Sequence, residues 1–205
     1  MSGELLVAPC SYEATKFACE NFHYAQKIPS SKLVKHGVWE DGLFIGAIVY
    51  GDSPNPNMCT PYGLEYTEVC ELRRIALTTH KHPVTQILSK SLKLLHKTNP
   101  NLKLVISYAD KNQDHLGIIY QANNWIYEKE TEDRMVLISI NGEEIHPRSA
   151  YDRYGTSSLD WIRKNVDPNA YGINKKGKYK YLYPMTKTAK KMFIDRGKPY
   201  PKTIK

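Results

Sequence analysis

This chain has little that would staple it together or carry it through a membrane. Its four cysteines, Cys10, Cys19, Cys59 and Cys70, are widely spaced and form no CxxC pair. That spacing signals neither a zinc ribbon nor a disulfide framework, and free thiols in a reducing compartment are the expectation. No apolar run approaches the roughly 18 residues a bilayer requires. The opening stretch, MSGELLVAPCSYEATKF, holds a short apolar patch without a basic region ahead of it, so a soluble, unexported, cytoplasmic protein is expected. Internal repeats and low-complexity tracts are missing too. A chain of 205 residues can bury roughly two-thirds of its unfolded surface, which is enough for one large domain without staples.

What the chain does have is tyrosine and unevenly placed positive charge. Residues 146–205 carry fifteen Lys or Arg against four Asp, a balance of +11 within a total of +8, which leaves residues 1–145 at −3. A basic C-terminal third on a nearly neutral body points to an anionic partner, of which nucleic acid is the commonest, against a merely solubilising face as the alternative. Fifteen tyrosines suit a surface that stacks on something flat, although Tyr is also a good strand residue. In Lys178-Tyr179-Lys180-Tyr181-Leu182-Tyr183 the two signals interleave, as phosphate-binding cations and stacking rings do where bases are held. His146, Arg148, Lys178, Lys180 and Tyr181 are therefore the DNA-binding candidates.

Apolar spacing predicts a helix over residues 11–25 with Ser11 as its N-cap. Two antiparallel strands over 33–40 and 43–50 follow, joined by Asp41-Gly42, a pair that accepts the positive φ of a tight hairpin. Residues 52–62 read as a loop and 69–77 as a strand broken by Glu71, Arg73 and Arg74. Pro83 opens a helix with Val84, Ile87, Leu88, Leu92 and Leu95 on one face. A buried strand over 102–107 comes next, then a short helix over 116–122 ending at Asn123-Asn124, and strands over 125–127 and 135–140. Residues 146–173 read as less regular, with one helix over 158–164. A last strand covers 178–183, and residues 187–205 are expected to fray.

The stretch LVISYADKNQDHLGIIYQANNWIYE is the richest in chemistry. Its apolar start suffices for a core, so the polar cluster after it needs another explanation. Asp110 follows the strand, where α/β folds place functional carboxylates, although Ala109-Asp110-Lys111-Asn112 is also good turn chemistry. Ser107 beside it could donate to a carbonyl. His23 and His115 are candidate bases or metal ligands. Glu71 and Arg73 share one strand face and Arg74 the other. One arginine of the pair forms an ion pair and the other meets an anion; Arg74 is carried as the candidate.

The order strand, loop, Pro-started helix, buried strand, short helix ending in Ile119-Tyr120-Gln121-Ala122-Asn123-Asn124-Trp125, strand resembles the GCN5-related N-acetyltransferase fold, a mixed α/β architecture. That resemblance implies that amides at the start of the Pro83 helix meet a coenzyme A pyrophosphate, in keeping with the anion affinity of helix N-termini. Leu77, Thr79, Lys81, His82, Val84 and Tyr120 become cofactor-binding candidates. The family's glycine-rich signature ahead of that helix is replaced by residues 79–83, so side chains of Lys81 or His82 are expected to supply contacts. Tyr120 resembles the tyrosine that protonates a leaving thiolate in many acetyltransferases, a role suited to a phenol.

A narrower set of motifs covers most of the chain. Asn21-Phe22-His23-Tyr24, Cys70-Glu71-Leu72-Arg73-Arg74, Ser107-Tyr108-Ala109-Asp110, His115-Leu116-Gly117-Ile118-Ile119-Tyr120-Gln121, His146-Pro147-Arg148-Ser149 and Gly177-Lys178-Tyr179-Lys180-Tyr181-Leu182-Tyr183-Pro184 together resemble the Mom family of bacteriophage DNA-modification proteins. The resemblance implies conversion of adenine N6 in DNA to a methylcarbamoyl (acetamido) form that protects phage DNA from host restriction. It implies acetyl-CoA as ligand, with iron as a further candidate cofactor, in the cytoplasm of the infected host. Asp110, Tyr120, His23, Arg74 and Ser107 are then the catalytic candidates. The competing expectations are a conventional acyltransferase for a protein or small amine and a non-catalytic DNA-binding shell. Residues 1–145 are expected to form the catalytic core and 146–205 a basic extension completing the same compact domain. The sequence leaves the oligomeric state, monomer or homodimer, open.

Overall fold

The Asp41-Gly42 hairpin is the frame on which the rest is laid. In the computed structural model, which describes residues 3–53 and 55–202 apart from the side chains of Arg134 and Met135, strands β1 (Leu5–Pro9), β2 (Leu33–Glu40), β3 (Leu43–Gly51) and β4 (Val69–Leu77) pair antiparallel in sequence order. Asp41 and Gly42 adopt φ of 50° and 78°, the mirror-image turn that matches strand twist. Pro54 of the expected loop and residues 203–205 of the expected tail lie outside the described residues.

Helix α1 (Tyr12–Phe22) is capped by Ser11, whose hydroxyl accepts the Ala14 N–H at 3.1 Å. Its Ala18 and Cys19 pack with Ala47, Val49 and Ala76. Helix α2 (Val84–Thr98) buries Ile87, Leu88, Ser91, Leu92 and Leu95, and Ser91 meets Tyr50 of β3. Successive residues of a strand point to opposite faces. The two helices therefore cover opposite faces of the sheet, and residues 47–50 of β3 are fully buried.

Beyond β4 come β5 (Leu104–Asp110), the short helix α3 (Ile118–Gln121), β6 (Ile126–Glu130) and β10 (Lys178–Pro184), giving one seven-stranded sheet of order β1-β2-β3-β4-β5-β10-β6. The last strand is thus inserted between two earlier ones. Helix α6 (Lys187–Phe193) follows, with Ala189 and Phe193 packed in a core with Leu104, Ile106, Ile126 and Leu182. Its described residues are ordered where fraying is expected from sequence, because Phe193 is a buried anchor.

The chain divides into two compact units, residues 1–109, 116–129 and 180–205 in the first, and 110–115 and 130–179 in the second. The second contains β7 (Arg134–Ile140), β8 (Glu143–Ile145) and β9 (Tyr171–Lys175) as a three-stranded antiparallel sheet, with α4 (Pro147–Tyr154) and α5 (Leu159–Asn165). Its core is Ile138, Ile140, Ile145, Ala150, Ile162 and Ala170. Residues 146–179 fall in the small unit, and 180–202 belong with the large one.

Candidate functional site

Strands β4 and β5 run parallel but pair only over Val69↔Leu104, Cys70↔Val105 and Glu71↔Ile106. Both continue past that point, so among the described residues the ladder between them ends and the strands part. On its other edge β4 bulges against β3, where Arg74 pairs with Val49 and Leu72 with Tyr50, leaving Arg73 as the extra residue. A bulge re-aims the side chains that follow it.

Ser107 stands one residue beyond the last pair. Its Oγ lies 3.1 Å from the Leu72 carbonyl oxygen and 2.9 Å from Tyr120 Oη. With one hydroxyl proton, it donates to one of these oxygens at a time. Tyr120, carried on α3, is 8% exposed and packs against Trp125 and Tyr181 with ring centroids 5.0 and 5.2 Å apart. Burial pushes the phenol up to about 12, partly offset by Ser107, with Tyr24 and Glu71 raising it further. Tyr120 is therefore a phenol, not a phenolate, at neutral pH. Gly117 ahead of α3 has φ 76°, and a Cβ there would meet the Tyr181 ring at 2.4 Å.

The two arginines have different partners. Arg73 Nε sits 3.4 Å from Glu71 and its Nη1 donates to the Asp52 carbonyl at 2.9 Å. Arg74 donates from Nη1 to the Arg73 carbonyl, and its Nε is buried without a hydrogen-bond partner. Burial lowers the Arg74 guanidinium while Tyr24 raises it. Glu71 and Tyr24 thus stand beside the candidates and were not among them. The place where the ladder ends, invisible in one sequence, is what singles Glu71 out.

His23 follows α1; its Nδ1 accepts the Ala25 N–H at 3.0 Å and its ring lies 4.3 Å from that of Tyr24. Asp110 and His115 belong to the smaller unit. Asp110 Oδ1 accepts both the Asn112 backbone N–H and Nδ2 at 2.9 Å, and Oδ2 meets Lys178 Nζ at 3.3 Å. Burial raises this carboxyl, but Asn112 and Lys178 outweigh it and hold it below its usual range. Its turn role is therefore realised, and it is a weak base. His115 is exposed, and its N–H donates to the Asp110 carbonyl at 3.1 Å.

In the loop ahead of α2 a side chain from β2 meets the backbone amides. Glu40 accepts the backbone N–H of Lys81 at 2.8 Å and of His82 at 2.7 Å, and His82 Nδ1 at 2.8 Å. Both Glu40 and His82 are 5% exposed. Burial raises the Glu40 carboxyl, yet these donors bring it down to about 2. Lys81 Nζ meets Asp41 at 3.0 Å. Thr79 is exposed, and Leu77 and Val84 are half-buried.

The DNA candidates separate into surface and interior. His146 caps α4 through Nδ1 and the Arg148 N–H at 3.0 Å, and both residues are exposed, as is Lys178. Lys180 and Tyr181 are not available to phosphate or bases. Lys180 is 8% exposed and Tyr181 fully buried, because β10 is an interior strand whose faces both pack. Lys180 Nζ lies 3.2 Å from Glu128, which also binds Tyr62 Oη at 2.7 Å and Arg196 Nη1 at 2.9 Å. Tyr50, Tyr62 and Tyr120 are likewise core residues, while Tyr12, Tyr24, Tyr66, Tyr151, Tyr171 and Tyr200 are exposed. Among the described residues no group of three or more His, Cys, Asp or Glu gathers as metal ligands, and no helix is long and apolar enough to cross a membrane.

The solved structure of spermidine/spermine N-acetyltransferase SpeG from Vibrio cholerae superposes with a TM-score of 0.50 at 9% identity, over 92% of this chain and 96% of that one. The fold is thus that of the GCN5-related N-acetyltransferases. Methylcarbamoylase Mom of Escherichia phage Mu is 25% identical over 210 residues, 98% of this chain and 85% of that protein. The model of the Mom protein family matches residues 4–202, and the chain belongs to that family.

Proposed function

We propose that this chain is a DNA-modifying transferase that converts adenine N6 to a methylcarbamoyl (acetamido) form and so shields phage DNA from restriction. The observation that carries this reading is the family match along residues 4–202, combined with a buried phenol at the point where β4 and β5 part. The name of the phage Mu relative supplies the group transferred.

Tyr120 keeps its proton at neutral pH and is placed to give it to an anion developing at the fork, while Ser107 fixes the direction of its O–H. Arg74, with an unused Nε, offers a cation to the same side of β4 as Tyr24. An amino group stacked in a duplex cannot reach a buried phenol, so the adenine is extruded. Exposed Tyr24 supplies a ring for it to stack on, and the exposed Lys187, Lys190 and Lys191 of α6 supply phosphate contacts.

Acetyl-CoA is the proposed ligand. Its acyl-bearing arm has amides that suit the unpaired strand edges between β4 and β5, as an added strand does. The diphosphate end does not fit the loop as it stands, since Glu40 holds two of its amides and Pro83 has none. When bound, the cofactor would supply an activated two-carbon acyl group; acyl transfer by itself gives N6-acetyladenine and the free thiol, so the nitrogen of the methylcarbamoyl group has to come from a second, nitrogen-donating reactant.

The test is mass spectrometry of nucleosides from the DNA of cells expressing the chain. A methylcarbamoyl-2′-deoxyadenosine is expected. Unmodified DNA from cells holding folded protein overturns the reading, and an acetylated protein or polyamine in its place identifies a conventional acyltransferase.

A further inference from the structure

The loop between β4 and α2 is where this fold presents backbone amides to a negatively charged group, and in this chain the group is its own. Glu40, the last residue of β2, reaches across and receives the Lys81 N–H, the His82 N–H and the His82 ring. Thr78 gives its N–H to the Ile45 carbonyl, and Pro83 has no N–H to give. The loop's ammonium group is also engaged, with Lys81 on Asp41. Asp41 is fixed in turn through the Glu4 N–H at 2.9 Å and through its own N–H to the Glu4 carbonyl. His80 turns its Nδ1 to the Thr78 carbonyl at 2.8 Å. A diphosphate approaching this loop meets two adjacent carboxylates whose donors are already bound. Removing Glu40 from its place would strip three hydrogen bonds from a buried anion, a costly exchange.

We propose that this loop is not a diphosphate cradle: Glu40 fills it, and the chain takes its acyl donor by the pantetheine arm alone, so that the recognised class is an acyl-pantetheine thioester whatever carries it. This rests on the acyl-thioester reading above and narrows it. The arm enters where β4 and β5 part, at Leu72, Ser107 and Tyr120. A nucleotide is then tolerated at the loop's outer side without adding affinity. Coenzyme A, a phosphopantetheine on a carrier protein and a short synthetic thioester become equivalent donors.

Isothermal titration of the full chain with acetyl-CoA, S-acetylpantetheine and adenosine 3′,5′-diphosphate tests this. The two thioesters should bind within about threefold of one another, and the nucleotide should not compete with either. Acetyl-CoA binding tighter than S-acetylpantetheine by more than that margin, or competition by the nucleotide, overturns the proposal. Glu40→Gln removes the charge and keeps the shape. It should raise acetyl-CoA affinity about tenfold and leave S-acetylpantetheine unchanged, whereas equal effects on both overturn the assignment. If that variant does not fold, the wild-type comparison still decides. Binding of neither thioester to the wild-type chain sinks the acyl-thioester reading itself, a result distinct from binding of acetyl-CoA through its nucleotide.

Discussion

Replacing Glu128 by Gln separates an interior role for Lys180 from a role on DNA. The Glu128 and Lys180 side chains are 8% and 10% exposed and lie 3.2 Å apart. Tyr62 and Arg196 occupy the remaining sides of the carboxylate, and Lys180 also lies 5.0 Å from the Tyr62 ring centroid. Gln keeps the shape and still accepts from Tyr62, but Lys180 is left as a buried cation without its anion. Burial alone already lowers the Lys180 ammonium, and Glu128 is the group that raises it. Breaking one side of such a pair costs about 3–5 kcal/mol, and the lower end applies because a neutral hydrogen bond survives. Lys180→Met leaves the opposite charge with Arg196 still beside it, so about 2 kcal/mol is expected. The double variant removes both charges and should lose no more than the worse single one, a coupling of about 2 kcal/mol. Urea titration followed by the fluorescence of buried Trp125 reads all four proteins. A loss of about 3 kcal/mol moves the midpoint by roughly 1 M or more. Strictly additive losses, or a Lys180→Met protein of wild-type stability whose DNA affinity has a flatter salt dependence, would refute the interior assignment.

Three further outcomes follow from the geometry. Tyr120→Phe should reduce modified deoxyadenosine by about a hundredfold or more while changing stability by only about 1 kcal/mol, the worth of one hydrogen bond; full activity in this variant removes Tyr120 from the chemistry. His36 is buried against Ser91 at 2.9 Å, and burial lowers its imidazole to about 4. The unfolded chain therefore binds a proton that the folded one refuses, and stability falls as pH drops from about 6.5 to about 4, by roughly 3 kcal/mol. His36→Gln should flatten that part of a pH series of urea titrations, and an unchanged slope contradicts it. Phe193→Ala should cost about 3–5 kcal/mol, because the ring is 2% exposed and packs edge-on to Tyr62; a loss below about 1 kcal/mol would return α6 to the frayed tail expected from sequence.

Local chemistry was readable wherever a few neighbouring residues settle the conformation. Asp41-Gly42 announces its hairpin, Ser11 its helix, and the spacing from Val84 to Leu95 the buried face of α2, with small Ser91 where Tyr50 approaches. The Asp110 turn was legible as an alternative, since Asp-Lys-Asn chemistry acts over two residues. Glu71 could be named but not ranked. Its place at the end of the β4–β5 ladder depends on where two strands separated by a helix stop pairing.

From its residues alone this chain declares its family, its sheet-and-helix order and a phenol and hydroxyl within one short segment, because motifs, caps and periodicity act over a few positions. Only the folded arrangement decides which charges face water. Lys180 reads as a DNA contact until Glu128 is found beside it, and Lys81 and His82 read as cofactor contacts until Glu40 is found on their backbone amides. Those pairings join residues tens of positions apart, and burial, which makes an ion seek its partner, exists only once the strands have assembled.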